Sequence, residues 1–225
     1  MNVLDVIFPK KCALCQKEVS HQEAALCVQC EKDLPVMKHV CAIENLPVDG
    51  SNALTVYCAL RYTGTVKTGI VSMKYGDRPQ VCEFLGEALH RVLSESRECD
   101  LRFSDFDVVV PVPSTPDKIK MRGYNQAELI AGKFAQLAEL PMETGALKKN
   151  ANVASQSTLN MAARQKSVAG VYEILDASVV AGKNVLLVDD ILTTGATAIA
   201  IAKILYQAGA KRVVCLTAST GKKDV

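Results

Sequence analysis

Val-Leu-Leu-Val-Asp-Asp-Ile-Leu-Thr-Thr-Gly-Ala-Thr, at residues 185–197, combines a strand, a loop and the start of a helix. Its four consecutive apolar residues are typical of a strand buried on both faces of a sheet. Asp189 and Asp190 follow at the carboxyl end of this strand, and a threonine and glycine loop leads into a helix predicted over 196–207. Because ligands of open α/β sheets bind beyond the carboxyl ends of strands, the stretch predicts both an α/β fold and the place of its binding site.

The rest of the chain continues the alternation of strands and helices. Further strands are predicted over 53–61, 107–113 and 212–217, and further helices over 65–74, 81–93 and 125–140. This order predicts βαβ units and a parallel sheet. Turn-forming residues between 47 and 52 predict a boundary near residue 50. We therefore expect a small N-terminal module with a linker at 1–50 and a larger domain at 51–225.

Four of the nine cysteines form two Cys-x-x-Cys pairs near the N-terminus, Cys12 with Cys15 and Cys27 with Cys30. Two such pairs can complete a tetrahedron of thiolates, so the spacing favours a structural zinc site. A redox pair, a disulfide pair and an iron–sulfur centre are the alternatives, but none accounts for two matched pairs ahead of an α/β domain. A site closed by four thiolates leaves no position for a substrate, so its predicted role is in folding.

The loop at 193–197 has the composition of a phosphate-binding loop. A helix N-terminus offers free N–H groups, Gly195 permits a close approach, and Thr193, Thr194 and Thr197 add hydroxyls. The two preceding aspartates can accept hydrogen bonds from ribose hydroxyls, directly or through Mg²⁺. A solvated turn is the alternative, although paired carboxylates are costly there unless a ligand binds. Neither the dinucleotide-binding nor the Walker glycine motif occurs in the chain, so the loop suits a phosphorylated ribose.

Composition and charge exclude several classes of protein. The 26 basic and 24 acidic side chains are nearly balanced, which argues against a histone-like polycation, but residues 111–170 hold eight basic against four acidic side chains. The longest uncharged apolar run, 191–202, falls well short of the about 20 residues of a membrane-spanning helix. The remaining cysteines are scattered singly through apolar surroundings, which predicts a reduced, cytoplasmic protein.

Segment 185–197 resembles the motif with which type I phosphoribosyltransferases bind 5-phosphoribosyl-1-pyrophosphate (PRPP). The whole chain resembles the ComF family of competence proteins over nearly its full length. Ser167 departs from the asparagine that the family usually has three residues after the loop arginine. The supporting motifs, besides 185–197, are the double Cys-x-x-Cys, Lys74-Tyr75-Gly76-Asp77, Pro111-Val112-Pro113, Arg122-Gly123-Tyr124-Asn125-Gln126, and Gln156 with Arg164 downstream.

This resemblance implies a type I phosphoribosyltransferase-like parallel sheet flanked by helices, joined to a small N-terminal four-cysteine zinc module. It implies that PRPP binds with Mg²⁺ and that Asp189 and Asp190 are the catalytic carboxylates. The implied 5-phosphate loop is Thr193, Thr194, Gly195, Ala196 and Thr197, and the implied pyrophosphate loop is Pro111, Val112, Pro113 and Ser114.

The resemblance also implies a cytoplasmic protein that promotes internalisation of single-stranded transforming DNA during natural transformation. The implied partners are PRPP, single-stranded DNA and other competence proteins such as the ComFA helicase and DprA, without stable insertion in a membrane. Two alternatives stay open: a metabolic phosphoribosyltransferase acting on an unidentified base or amine, and a PRPP-binding module without turnover. Whether the chain is an enzyme is therefore open. The DNA-binding candidates, taken from the basic middle of the chain, are Lys118, Lys120, Arg122, Tyr124, Lys148, Lys149 and Arg164.

Overall fold

The computed structural model describes residues 10–19, 25–75, 78–97, 99–150 and 170–222. The described strands are β1 (Cys41–Pro47), β2 (Ala53–Arg61), β3 (Val108–Pro111), β4 (Leu147–Lys149), β5 (Tyr172–Ile174), β6 (Asn184–Leu192) and β7 (Arg212–Thr220). The described helices are α1 (Val28–Lys32), α2 (Gly64–Tyr75), α3 (Pro79–Glu95), α4 (Pro116–Arg122), α5 (Gln126–Ala138) and α6 (Ala196–Gln207). Short 3-10 helices lie at Phe103–Asp105 and Ala177–Val179.

Five strands form the main sheet, in the order β1-β2-β7-β6-β3. Strands β2, β7, β6 and β3 run parallel, and β1 pairs antiparallel with β2 at one edge. Strands β4 and β5 form a separate antiparallel pair. The predicted α/β fold with a parallel sheet flanked by helices is confirmed.

Strand β6 lies inside the sheet because its apolar residues are buried between two parallel neighbours. Residues 185–188 are fully buried and pair with both β3 and β7. The strand continues to Leu192, beyond the predicted end at residue 188, because Asp189 and Ile191 pair with Thr217 and Ser219 of β7. The two aspartates therefore lie within the strand instead of after it.

Strand β1 lies where the sequence predicts only turns and a linker. Its pairing with β2 is interrupted by two register shifts, and Asn45 has a φ of 50°, so the strand lacks a regular alternation of apolar residues. The predicted turn at 47–52 is the connection of this hairpin, in which the side chain of Asp49 accepts hydrogen bonds from the backbone N–H groups of Ser51 and Asn52. The division of the chain at residue 50 stays a prediction.

Helices α3 and α5 pack side by side against the sheet, α3 on β2 and β7 and α5 on β3 and β6. Their apolar faces match the helical spacing in the sequence, with Phe84, Leu85 and Leu89 on α3 and Ile130 and Phe134 on α5 buried. None of the helices in the described part of the chain combines the length and apolar character that crossing a bilayer requires.

Replacing Gly86 with alanine is expected to destabilise the protein, by about 1–3 kcal/mol, because the helices meet backbone to backbone at this position. A Cβ there would lie 2.6 Å from the carbonyl oxygen of Ile130 and 2.8 Å from Cβ of Lys133. Gly132→Ala on α5 is the matched control, since its nearest contact would be Cε of Met142 at 3.6 Å. That control should gain about 0.5–1 kcal/mol from helix propensity. Urea unfolding of both variants measures the difference, and equal stabilities would contradict the close approach.

Candidate functional site

The parallel strands β2, β3, β6 and β7 end at the same edge of the sheet, which we call the carboxyl edge. Asp189 and Asp190 lie in the last four residues of strand β6, toward this edge, and Pro111 ends β3 beside Val188. The loop at 193–197 follows β6 directly. The structure thus brings the segments that are predicted to bind the ribose, the 5-phosphate and the pyrophosphate to one edge of the sheet.

Asp190 is paired with Lys74, the last basic residue of helix α2. The Lys74 Nζ lies 2.6 Å from the Asp190 Oδ2, and Asp190 is only 9% exposed. A buried carboxyl group is costly unless it is paired, so this ion pair stabilises Asp190 in its buried position. The sequence placed Lys74 in a family motif but carried no signal for this contact.

Asp189 is held differently from its neighbour. Its Oδ1 accepts a hydrogen bond of 2.8 Å from the backbone N–H of Asp190. Burial, and then the charge of Asp190, raise the pKa of the Asp189 carboxyl to about 8. A carboxyl pKa raised by burial and by a neighbouring carboxyl group is typical of functional sites.

Replacing Asp189 with asparagine is expected to raise the melting temperature at pH 8 and to leave it nearly unchanged at pH 4. The folded chain retains a proton on Asp189 up to about pH 8, whereas the unfolded chain releases it near pH 4. The contribution of this carboxyl to stability therefore falls as the pH rises between these values, and an amide has no such dependence. Thermal unfolding from pH 4 to 8 measures the difference. A difference that does not change with pH would contradict the raised pKa.

The loop at 193–197 presents backbone to the carboxyl edge. Gly195, at the N-cap of helix α6, has a φ of 84° and no side chain that could cap the helix. The hydroxyl of Thr194 accepts a hydrogen bond of 3.3 Å from the N–H of Ala196, and Thr193 and Thr194 are exposed. A Cβ at Gly195 would lie 3.4 Å from Cδ2 of Leu46, so strand β1 supports this loop from behind. The geometry suits a phosphate bound at a helix N-terminus.

The segment 111–114 is tied to the sheet through backbone contacts. The N–H of Val112 donates to the carbonyl oxygen of Val188 at 2.9 Å. The side-chain amide of Asn125 donates to the carbonyl oxygen of Val112 at 3.1 Å, so Asn125 does not cap helix α5 with its side chain although it occupies the N-cap position. Pro113 and Ser114 are half-buried beside this anchor.

Basic side chains from three separate elements lie close enough to Lys118 for their charges to act on it. Burial lowers the pKa of Lys118, and the charges of Lys149, Arg122 and Lys74 lower it further, whereas the charge of Asp190 opposes the shift. We call Lys74, Lys118, Arg122 and Lys149 the cationic cluster. Helix α4 supplies Lys118 and Arg122, strand β4 supplies Lys149, and helix α2 supplies Lys74. All but Lys74 are predicted DNA-binding residues.

The other predicted DNA-binding residues are placed differently. Lys120 is exposed on helix α4, and Lys148 lies opposite Glu173 in the β4–β5 pair. Tyr124 is half-buried, and its hydroxyl donates to the carbonyl oxygen of Met73 at 2.7 Å. Among the motif residues, Gly76, Asp77, Gln156, Arg164 and Ser167 lie outside the described residues.

The four N-terminal cysteines form the second candidate centre. The sulfur atoms of Cys12, Cys15, Cys27 and Cys30 all lie within 4.8 Å of one another, as one metal ion requires. At Cys12, burial is outweighed by hydrogen bonds from backbone N–H groups of Cys15, Cys27 and Leu14, which lower the pKa of the thiol to about 7. A thiol ionised near neutral pH is ready to bind a metal.

Arg78 joins this cysteine module to the helices of the larger domain. Its guanidinium donates to the hydroxyl of Ser72 at 2.7 Å and to the backbone carbonyl of Ala13. Leu14 packs so closely on helix α2 that a Cβ at Gly69 would lie 2.7 Å from it. The metal-binding knuckle is therefore packed against the helix that carries Lys74.

Two separate segments of the chain match known domain families. A double zinc ribbon domain matches residues 3–59, and a phosphoribosyl transferase domain matches residues 119–224. The DNA utilization protein YhgH of Escherichia coli (strain K12) is 23% identical over 218 residues, with 91% of this chain and 94% of the relative covered. Competence protein F of Haemophilus influenzae is 26% identical over 108 residues, 48% of this chain and 47% of the relative.

Competence protein ComFC of Streptococcus pneumoniae is 34% identical over 116 residues, 50% of this chain and 47% of the relative. Among solved structures, the glutamine PRPP amidotransferase from B. subtilis aligns with a TM-score of 0.44 and 26% identity, over 66% of this chain and 30% of that chain. The zinc ribbon, the phosphoribosyltransferase domain and the competence relatives agree with the motifs in the sequence. The chain thus has a match to a double zinc ribbon domain followed by a match to a phosphoribosyl transferase domain, and it is similar to proteins named DNA utilization protein YhgH, competence protein F and ComFC.

Proposed function

We propose that this protein binds single-stranded DNA at the carboxyl edge and promotes its internalisation in the cytoplasm during natural transformation. The observation that supports this most directly is the cationic cluster, in which the charges of Lys149, Arg122 and Lys74 act on Lys118 while Lys74 also pairs with Asp190. Basic side chains in a groove neutralise the phosphates of a single strand. The relatives named competence protein F and ComFC support the biological context.

The same edge is proposed to bind PRPP with Mg²⁺. The carboxyl oxygens of Asp189 and Asp190 would accept hydrogen bonds from the ribose hydroxyls, residues 193–197 would bind the 5-phosphate, and residues 111–114 the pyrophosphate. Mg²⁺ bound to the pyrophosphate would reduce its charge. For Asp190 to bind ribose, Lys74 must leave the ion pair, and its ammonium is then free to contact a phosphate.

The cysteine module is proposed to hold one structural Zn²⁺. Its four thiols fit a closed tetrahedral site, and such a site has no open position for a substrate. Zinc would therefore stabilise the packing of the module on helix α2. Contacts with the ComFA helicase and DprA remain predictions.

DNA binding and its biological consequence can be tested together. The purified protein should bind a fluorescent oligothymidylate at low salt, and its affinity should fall steeply as salt is added. In a competent source strain, deletion of the gene should abolish transformation, and the unaltered gene should restore it. A gene carrying Asp189→Asn and Asp190→Asn should not restore it. Undetectable binding of the oligonucleotide at low salt, or unchanged transformation on deletion, would refute the proposal.

PRPP with Mg²⁺ is expected to compete with single-stranded DNA. Both ligands are polyanions, and both would use the cationic cluster around Asp190. By linkage, DNA should weaken PRPP binding by the same factor as PRPP weakens DNA binding. Titration of each ligand with and without saturating amounts of the other measures this factor. Ribose 5-phosphate, which lacks the pyrophosphate group of PRPP, should be a weaker competitor. Independent binding of the two ligands would show that they occupy separate sites.

A metabolic phosphoribosyltransferase is the second candidate. It is favoured by the complete set of Asp189, Asp190 and the Gly195 loop at one edge. In that case, pyrophosphate should be released from PRPP in the presence of one member of a panel of bases and amines, and Asp190→Asn should abolish the release. PRPP binding without release would instead indicate a binding module, and no PRPP binding would exclude both.

A further inference from the structure

Tyr75 presents an exposed aromatic ring next to the carboxyl edge. It is the last residue of helix α2 and follows Lys74 directly, and it is 77% exposed. Of the large apolar side chains that are exposed in the described part of the chain, Tyr75 is the aromatic one. Tyr124, the aromatic residue among the predicted DNA-binding candidates, is instead half-buried, and its hydroxyl donates to the carbonyl oxygen of Met73.

The guanidinium group of Arg122 lies over this ring. The guanidinium carbon of Arg122 lies 5.9 Å from the centre of the Tyr75 ring, and its Nη1 donates to Oε1 of Gln126 at 3.0 Å. The hydrogen bond restrains the guanidinium, and the contact with the ring is a cation–π interaction. An aromatic ring beside a restrained arginine is a surface on which a nucleobase can stack.

The charges around Tyr75 favour a nucleobase that carries phosphate. Lys74 precedes Tyr75 in the chain and pairs with Asp190, and Arg122 belongs to the same cationic cluster. A base on Tyr75 would therefore lie within one nucleotide of the side chains that neutralise its backbone. A lone exposed apolar residue has no special meaning, but an exposed aromatic within a cationic cluster matches how proteins bind single strands.

We propose that Tyr75, with Arg122, is a nucleobase-stacking site of this protein, and this inference rests on the proposed binding of a polyanionic nucleic acid at the carboxyl edge. The base belongs to the single strand, whose phosphates contact Lys74 and the rest of the cationic cluster. A free base that approaches bound PRPP would present the same ring to Tyr75, and the experiment separates these two sources.

The chain contains no tryptophan, so Tyr75→Trp creates a single fluorescent reporter at the proposed site. Because Tyr75 is largely exposed, the variant should fold like the parent. Oligothymidylate should quench the tryptophan, and an abasic oligonucleotide of the same length and charge should not. Quenching by a free base with PRPP and Mg²⁺, without quenching by the oligonucleotide, would assign the same site to a free base.

Affinity measurements provide the second readout. Tyr75→Leu should weaken binding of oligothymidylate about tenfold, as expected for the loss of one stacked base, and should leave binding of the abasic strand unchanged. Tyr75→Phe should retain nearly full affinity. Leu137→Ala, at the opposite end of helix α5 from Asn125, is the control for loss of an exposed apolar side chain.

Two failures can be told apart. If the unaltered protein binds the oligonucleotide but the tryptophan is quenched neither by it nor by free bases, the stacking site is refuted and the proposed function stands. Equal quenching by the abasic strand would also refute it. If the unaltered protein binds no oligonucleotide at low salt, the proposed function fails, and the free-base titration alone decides whether Tyr75 stacks a base.

Discussion

Replacing Cys12 with serine is expected to abolish zinc binding and to unfold the N-terminal module. The four thiols lie within 4.8 Å of one another, and Cys12 and Cys30 are buried, so without a metal this packing has little to hold it. Around the four cysteines, in the described residues between 10 and 33, the regular structure is small, a five-residue helix α1 and an isolated bridge between Lys11 and Glu18. Apparent zinc affinities of such sites, about 10–16 kcal/mol, exceed what this module could gain from packing alone.

Metal analysis and limited trypsin digestion measure both effects. The unaltered protein should contain about one zinc per chain, and the Cys12→Ser protein close to none, with faster cleavage after Lys10, Lys11 and Lys17. Cys99→Ala is the matched control, because Cys99 is a free cysteine outside the cluster. Full zinc content in the Cys12→Ser protein would show that the four thiols are not the ligands.

Replacing both Lys118 and Lys149 with alanine is expected to weaken binding of single-stranded DNA by at least about tenfold at low salt. Each phosphate contact to a single strand contributes about 0.7 to the slope of log affinity against log salt, so the slope should fall by about 1.4. Lys118 and Lys149 belong to different elements, α4 and β4, and meet only in the folded chain.

A charge-matched control separates the carboxyl edge from net charge. Lys183 and Lys211 lie just before strands β6 and β7, at the opposite edge of the sheet, and their backbones are joined by a hydrogen bond of 2.8 Å. Replacing both with alanine removes the same charge and should leave the slope nearly unchanged. If both double variants lose the same affinity, the DNA does not bind preferentially at the carboxyl edge.

Some structural features were missed because the sequence carries little local signal for them. Strand β1 is interrupted by register shifts, and β4 and β5 have three residues each, so no periodicity marks them. The sequence analysis also named Tyr124, and not Tyr75, among the DNA-binding candidates. Exposure of a ring depends on what packs around it, and here the carbonyl group of Met73 anchors Tyr124 while Tyr75, at the end of helix α2, is exposed.

Local sequence was sufficient for the α/β fold, for helix α6 and for the four-cysteine cluster. The residues involved are neighbours in the chain. Four apolar residues bury β6, Gly195 and Gly209 lie at the two ends of helix α6, Cys12 and Cys15 flank a turn, and Cys27 and Cys30 lie at the start of helix α1. Periodicity and spacing describe such short-range relations directly. The family resemblance then supplied the roles of these segments.

The ion pair between Lys74 and Asp190, and the grouping of Lys74, Arg122 and Lys149 near Lys118, arise only when the chain folds. These residues come from α2, β6, α4 and β4, and the parallel order of the strands brings the loops after them to one edge. No spacing in the sequence encodes a distance of 2.6 Å between side chains so far apart in the chain. The sequence thus predicts which residues carry the chemistry, and strand order determines which of them act together.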